Sequence, residues 1–271
     1  MSVTSENNIL VASHLNKTYT QRSGRFGFGS SKTKALDDVS ISLRAGSTLA
    51  VVGESGSGKS TLARCLLQLQ PLDSGEVIFQ GKNLAGLSGH DLRQERRHLQ
   101  MIFQDPFASL NPRMKVREIV AEGLVIHEVG TASEQQDKVA RMLERVGLST
   151  ADMNKYPHQF SGGQRQRIGI ARALVLQPKV VVCDEPVSAL DVSIQAQILL
   201  LLQSLQQEMD LSYIFISHDL RVVRHIADDI AVMYKGRIVE QGKVEEVYAA
   251  PTQDYTRNLL NSIPGRKSQA A

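Results

Sequence analysis

The sequence predicts an α/β protein built on a parallel sheet, and three observations carry that expectation. Thr48–Val52, Val180–Cys183 and Tyr213–Ile216 are short continuous apolar runs, the composition of strands covered on both faces. Segments with apolar residues at helical spacing separate these runs, and alternating strands and helices imply parallel pairing. Each run also stops at chemically capable residues: Gly53 to Ser60, Asp184-Glu185 and Ser217-His218. Functional residues of open parallel sheets gather at the carboxyl ends of the strands.

Taken in order, residues 9–45 read as strands, with Val39, Ile41 and Leu43 alternating with Ser40, Ser42 and Arg44. Gln21–Lys34 is rich in Gly, Ser and basic residues and reads as a mobile loop; Phe26 and Phe28 leave a docking role open. After the Thr48–Val52 strand a helix is expected with Leu62, Leu66 and Leu69 on one side. A helical insert follows, roughly 105–165, in which Val116, Ile119, Val120 and Leu124, then Val139, Met142, Leu143 and Val146, keep helical spacing. Gly147 is placed to end the second of these helices. Ile194, Ile198, Leu201, Leu202, Leu205 and Met209 mark a further helix before Tyr213–Ile216.

Composition narrows the function classes. Hydrophobic residues make up 42% of the 271 and charged residues 22%, as in ordinary globular chains. A net charge of +3, from 31 basic and 28 acidic residues, gives no bulk attraction to nucleic acid or membrane. No run reaches the about 18 apolar residues of a membrane span, and the first residues lack the basic start and apolar stretch of a signal peptide. Cys65 and Cys183 sit in apolar stretches without metal-ligand spacing and read as buried small hydrophobes of a reducing compartment. The expected location is intracellular, with any membrane association made through a partner.

Gly53-Glu54-Ser55-Gly56-Ser57-Gly58-Lys59-Ser60, followed by Thr61, fits G-x-x-x-x-G-K-[ST] between a strand and a helix, the context a phosphate-binding loop requires. Backbone N–H groups can hold phosphate oxygens, Lys59 can reach the β- and γ-phosphates, and the Ser60 hydroxyl suits Mg²⁺. A second Gly turn, Ser161-Gly162-Gly163-Gln164, opens a helix expected to carry Arg165 and Arg167 in its first turn. Cations there oppose the helix dipole; a bound anion would explain them, and so would acidic side chains elsewhere. One nucleotide needs one cradle, so two cradles point to a nucleotide shared between two chains.

Asp184 and Glu185 end an apolar strand side by side; successive strand side chains point to opposite faces, so the two carboxylates need not share a role. Asp184 suits a water-mediated hold on Mg²⁺, and Glu185 suits a general base for the attacking water; without the upstream loop they would read as solvated carboxylates. On their own surroundings His218 reads as structural, Gln104 as a surface amide and Tyr19 as a packing residue, while Asp219 makes a fair helix cap.

These residues together resemble the ATP-binding subunits of ABC transporters, in the family's order over nearly the whole chain: Tyr19, Gly53–Ser60, Gln104, Ser161–Gln164, Val180–Asp184 with Glu185, Ser188-Ala-Leu-Asp191 and His218. The resemblance implies a RecA-like P-loop core with an N-terminal antiparallel β subdomain and an inserted α-helical subdomain. It implies that Tyr19 stacks on adenine, Gln104 senses Mg²⁺ and contacts the transport partner, and His218 holds the γ-phosphate. It further implies that the Ser161 loop closes over the facing subunit's nucleotide and that Asp191 couples the two sites.

Within the family the likeness runs to oligopeptide, dipeptide and nickel importer ATPases. Gln104–Pro112 and Tyr156–Arg172, with Phe160, are similar to theirs, as is the tail Pro251–Pro264, which departs at Gln253-Asp254 where a His-Pro pair is usual. With no cysteine after Cys183, the chain lacks the residues for the cysteine-rich cluster site some members carry.

The expected organisation is one nucleotide-binding domain over 1–264, with an extension over roughly 250–264 and a flexible tail at 265–271. The expected cofactors are ATP and Mg²⁺. The expected partners are two permease subunits on the cytoplasmic side of the inner membrane, a second identical or related ATP-binding subunit and, indirectly, an extracytoplasmic binding protein, with no nucleic acid. A soluble ATPase acting on DNA or ribosomes and an exporter engine are the alternatives. Cargo leaves no residues in such a chain.

Overall fold

The computed structural model describes residues 7–22, 30–105 and 108–263. Phe26 and Phe28, Pro106 and Phe107 within Gln104–Pro112, and the tail from Pro264 onward lie outside the described residues.

Two long strands open the chain, β1 (Asn8–Arg22) and β2 (Ser30–Arg44), paired antiparallel with Val11 opposite Ser42 and Arg22 opposite Ser30. The 21–34 stretch is therefore strand at both ends, since Gln21, Arg22 and Ser30–Lys34 all stand in the hairpin ladder. Composition misleads there because an antiparallel ladder satisfies the backbone whatever polar side chains it carries. Val39, Ile41 and Leu43 are buried in β2 as their alternation requires.

β3 (Thr48–Val52) is buried at every position. Beyond a Gly loop it feeds α1 (Lys59–Leu66), which turns Leu62 and Leu66 inward. Leu69 does not extend that face: it lies past the helix and is 51% exposed. Gln68 adopts a left-handed φ of 52°, which ends the helical ladder. β4 (Ser74–Phe79) and β5 (Lys82–Asn83) complete an antiparallel sheet of order β2-β1-β4-β5.

Then come α2 (Gly89–Arg96), β6 (Leu99–Ile102), α3 (Val116–Ile126), α4 (Ala132–Arg145) and α5 (Gly162–Leu174). The middle of the chain ends with β7 (Val180–Asp184) and α6 (Val192–Met209). The last elements are β8 (Ser212–Ser217), α7 (Leu220–Ile226), β9 (Asp229–Tyr234), β10 (Arg237–Lys243), α8 (Val244–Ala249) and α9 (Asp254–Asn261).

The chain divides into two units, one made of residues 1–87 and 214–271 and the other of Ser88–Tyr213. In the first, β10, β9, β3 and β8 lie side by side in that order, with Val51 parallel to Ala231. Ala50 and Val52 of β3, Leu220 and Val223 of α7, Val232 of β9 and Leu260 of α9 share one buried cluster. In the second, β6 and β7 pair in parallel with Met101 opposite Val182. There α3 packs against α4 and α5, and α5 against α6 and β6. Val116, Ile119, Val120 and Leu124 form the buried stripe of α3, and Val139, Met142 and Leu143 that of α4, as their spacing predicts. Gly147 follows α4 with its N–H on Glu144 O (2.9 Å).

The parallel pairs, separated in sequence by helices, bear out the α/β expectation. Among the described residues no helix is long and apolar enough to cross a membrane. Cys65 and Cys183 are both free and buried.

Candidate functional site

The residues singled out by the sequence fall into two groups, one in each unit. In the first unit, buried β3 delivers the Gly53–Ser60 loop to the surface, with Glu54, Ser55 and Gly56 exposed and Ser57 and Lys59 buried. Ser57 N–H donates to Glu54 O (3.2 Å) and closes the loop on itself. The Lys59 ammonium is 2.7 Å from Gly53 O and 2.8 Å from Glu54 O, donating to both. An ammonium has three donors and no acceptor, and here it bridges two carbonyls with Ser57 Oγ at 3.5 Å, all on the loop itself.

Gly58 is the N-cap of α1 at φ 110°, and it brings no side-chain cap. Any Cβ there would stand 2.3 Å from Ala35 O, so the position takes only glycine. The first turn of α1, which contains Ser60 and Thr61, also carries no acidic side chain. The positive end of the helix and its first N–H groups thus open toward the loop, and the set fits an anionic ligand.

His218 is exposed directly after β8. The next residue, Asp219, caps α7 by accepting from Arg221 N (2.9 Å) and pairs with the Arg221 guanidinium at 2.8 and 3.1 Å. Arg221 keeps the Asp219 carboxyl below its ordinary range. The Tyr19 hydroxyl donates to Gln70 Oε1 at 2.6 Å, which fixes the ring of this β1 residue.

In the second unit Gln104, just past β6, and Glu185, just past β7, come together: Gln104 Nε2 donates to Glu185 Oε2 at 3.0 Å. Asp184 is the last residue of β7 and is buried. Strand alternation does not separate the two carboxylates, because Glu185 has left the strand with a φ of 48°. Ser188 holds that turn, its Oγ donating to Glu185 O at 3.1 Å. A non-glycine residue in this conformation is strained by roughly 1–3 kcal/mol and persists where the surroundings fix it.

The second Gly turn differs from its expectation. Ser161 accepts from Gln164 N (3.3 Å) and Gln164 Oε1 accepts from Ser161 N (3.0 Å), a reciprocal capping box rather than a bare cradle. Arg165 Nε donates to Pro157 O (2.8 Å) and Arg167 to Val146 O (2.6 Å). Backbone carbonyls thus accept from both guanidinium groups, and Arg165 also reaches His158 O. A Cβ at Gly163 would lie 2.6 Å from Ile194 Cγ2, so that glycine is also needed for the close approach of α6. Asp191 caps α6, accepting from Ile194 N (3.0 Å) and Ser193 Oγ (2.8 Å), and these bonds hold its carboxyl below the ordinary range.

One residue at the loop was missed. Tyr255 of α9 accepts at its hydroxyl the N–H of Glu54, at 3.1 Å. The pair is 201 positions apart, and no spacing rule connects them.

A strand, a glycine loop with a buried lysine and an uncapped helix define a P-loop nucleotide-binding protein of the α/β class. A family model described as ABC transporter matches residues 36–188. The chain is 49% identical over 97% of its length to the oligopeptide transport ATP-binding protein AppF of Bacillus subtilis, covering 80% of that protein. It is 51% identical over 94% of its length to the di/tripeptide transport ATP-binding protein DppF of Pseudomonas aeruginosa, covering 79% of it. Among solved structures it is similar to the dimeric, ADP- and phosphate-bound post-hydrolysis cassette MJ0796: TM-score 0.76, 28% identity, 87% of this chain and 98% of that one. The chain belongs to the ABC transporter family, as a nucleotide-binding ATPase subunit.

Proposed function

We propose that this subunit powers uptake of peptides through a membrane permease. The Gly53–Ser60 loop carries the reading: Lys59 already rests on carbonyls at the mouth of an uncapped helix, set to exchange them for phosphate oxygens. Peptide cargo is supported by relatives about half identical over nearly the whole chain and named for oligopeptide and di/tripeptide transport.

In this reading one domain spans 1–264, Tyr19 faces the adenine, and residues Gly53 to Thr61 hold the phosphates. Ser60, Gln104 and Asp184 offer the hard oxygen donors that suit Mg²⁺, which would neutralise phosphate charge. Glu185 takes the proton of the attacking water, oriented by Gln104; His218 contacts the γ-phosphate. Ser161–Gln164 and Asp191 face a second ATP-binding subunit, a pairing supported by the dimeric solved cassette. Two permease subunits hold the protein at the cytoplasmic membrane face, and a binding protein delivers cargo from outside.

Co-expression with the permease pair and binding protein, followed by uptake of labelled tripeptide into proteoliposomes containing ATP, tests this. ATP-dependent uptake that Lys59→Ala abolishes is expected; ATPase activity that no peptide-loaded binding protein stimulates would refute the cargo assignment.

A further inference from the structure

We propose that Tyr255 is a positioning residue of the nucleotide site, through which the C-terminal extension sets the orientation of one peptide plane in the Gly53–Ser60 loop. This rests on the nucleotide reading of that loop.

The plane is the Gly53–Glu54 peptide. Its C=O accepts from Lys59 Nζ at 2.7 Å, and its N–H donates to the Tyr255 hydroxyl at 3.1 Å. The same peptide is therefore clamped on both sides, by the catalytic-loop lysine and by the extension. When Lys59 turns to a phosphate it gives up Gly53 O. The Tyr255 bond is then the contact that keeps the plane from rotating, at the junction where β3 becomes loop. Glu54 is exposed, so without Tyr255 its N–H would be free to follow water.

Tyr255 can serve as a fixed point because α9 is itself anchored. Leu260 is 1% exposed, in the cluster that contains Ala50 and Val52 of β3. The Glu240 carboxylate accepts from Thr252 N (2.7 Å), Thr252 Oγ1 (2.9 Å) and Gln253 N (3.2 Å), which pins the approach to the helix. The Tyr255 ring lies against Tyr234, centroids 4.2 Å apart. The departure at Gln253-Asp254 thus leaves the tail docked: Gln253 contributes its backbone N–H, and the tyrosine after Asp254 is the one that reaches the loop. Holding a loop in its binding conformation raises affinity by lowering the ordering cost.

Tyr255→Phe removes the hydroxyl and keeps the ring on Tyr234. With the purified full-length chain, fluorescent ATP analogue titrations and steady-state ATPase assays are compared with wild type. Loss of one neutral hydrogen bond predicts a roughly two- to tenfold rise in Kd and in KM for ATP, with the larger part of the loss on KM rather than kcat. The nucleotide-free melting temperature should hold while the ATP-induced upward shift shrinks. A lowered nucleotide-free melting temperature with unchanged Kd would mean that Tyr255 is only structural, and would overturn the inference. Wild-type binding matched by Tyr255→Phe overturns it too, leaving the nucleotide site standing. A wild-type chain that binds no ATP would remove the nucleotide reading and this inference together.

Discussion

Gln104 and Glu185, 81 positions apart and at the ends of adjacent parallel strands, meet through a 3.0 Å hydrogen bond from amide to carboxylate. The bond fixes the Glu185 carboxylate through one of its oxygens. A hydrogen bond to a charged group contributes about 1.5–3 kcal/mol, and Gln104→Leu removes this donor. ATP turnover should therefore fall by about tenfold or more in Gln104→Leu, as read in steady-state assays. Wild-type turnover would show that this bond does not orient Glu185 for the reaction.

Gly163 and Ile194 define a contact that the second Gly turn needs whether or not nucleotide is near. A Cβ at 2.6 Å from Ile194 Cγ2 forces a shift, so Gly163→Ala should cost roughly 1–3 kcal/mol in urea unfolding. Pairing it with Ile194→Ala removes the overlapping methyl, and the double mutant should lose less than the sum of the singles. Additive losses would place the strain elsewhere.

Asp219 is held below its ordinary pKa first by the Arg221 side-chain hydrogen bond. A depressed folded-state pKa means that its stabilising contribution is present above the unfolded value, about 3.9, and is lost as pH falls through the folded value. Asp219→Asn keeps a capping oxygen and removes the charge. Its stability deficit should be visible at neutral pH and should vanish in acid, as read by denaturant unfolding at pH 7 and below pH 4.

The two thiols should be inert in the folded chain. Burial pushes Cys65 up to about 11 and Cys183 higher still. Iodoacetamide at pH 8 should modify neither without denaturant and both in urea, by mass spectrometry. Labelling of the native chain would mean that these strands and helices open locally.

The pieces that sequence pattern reached are those whose chemistry is local. Gly53–Ser60 combines strand, glycines and lysine within a dozen residues, and burial of all five residues of β3 follows from an unbroken apolar run. What escaped depends on main-chain partners, backbone turns and distant contacts that leave no pattern in the side chains. Arg165 and Arg167 are visible as donors, but their acceptors are main-chain carbonyls, which every residue has and no side chain advertises. Glu185 looks like the next residue of a strand until its φ of 48° is seen, because a backbone turn held by Ser188 leaves no apolar period to read. The ends of the 21–34 stretch look like loop because pairing across a hairpin, not composition, makes them strand. Tyr255 reaches the phosphate loop only because β3 and α9 bury side chains in one cluster.

The most direct test of the account compares Glu185→Gln with wild type for ATP binding and ATP turnover, each assembled with the proposed permease subunits. A general base contributes roughly 10²–10⁴-fold to such a reaction. The variant should bind ATP as tightly as wild type while its turnover falls by about a hundredfold or more. Turnover within a few-fold of wild type would contradict the assignment of Glu185 as the base, and with it the proposed chemistry of this site.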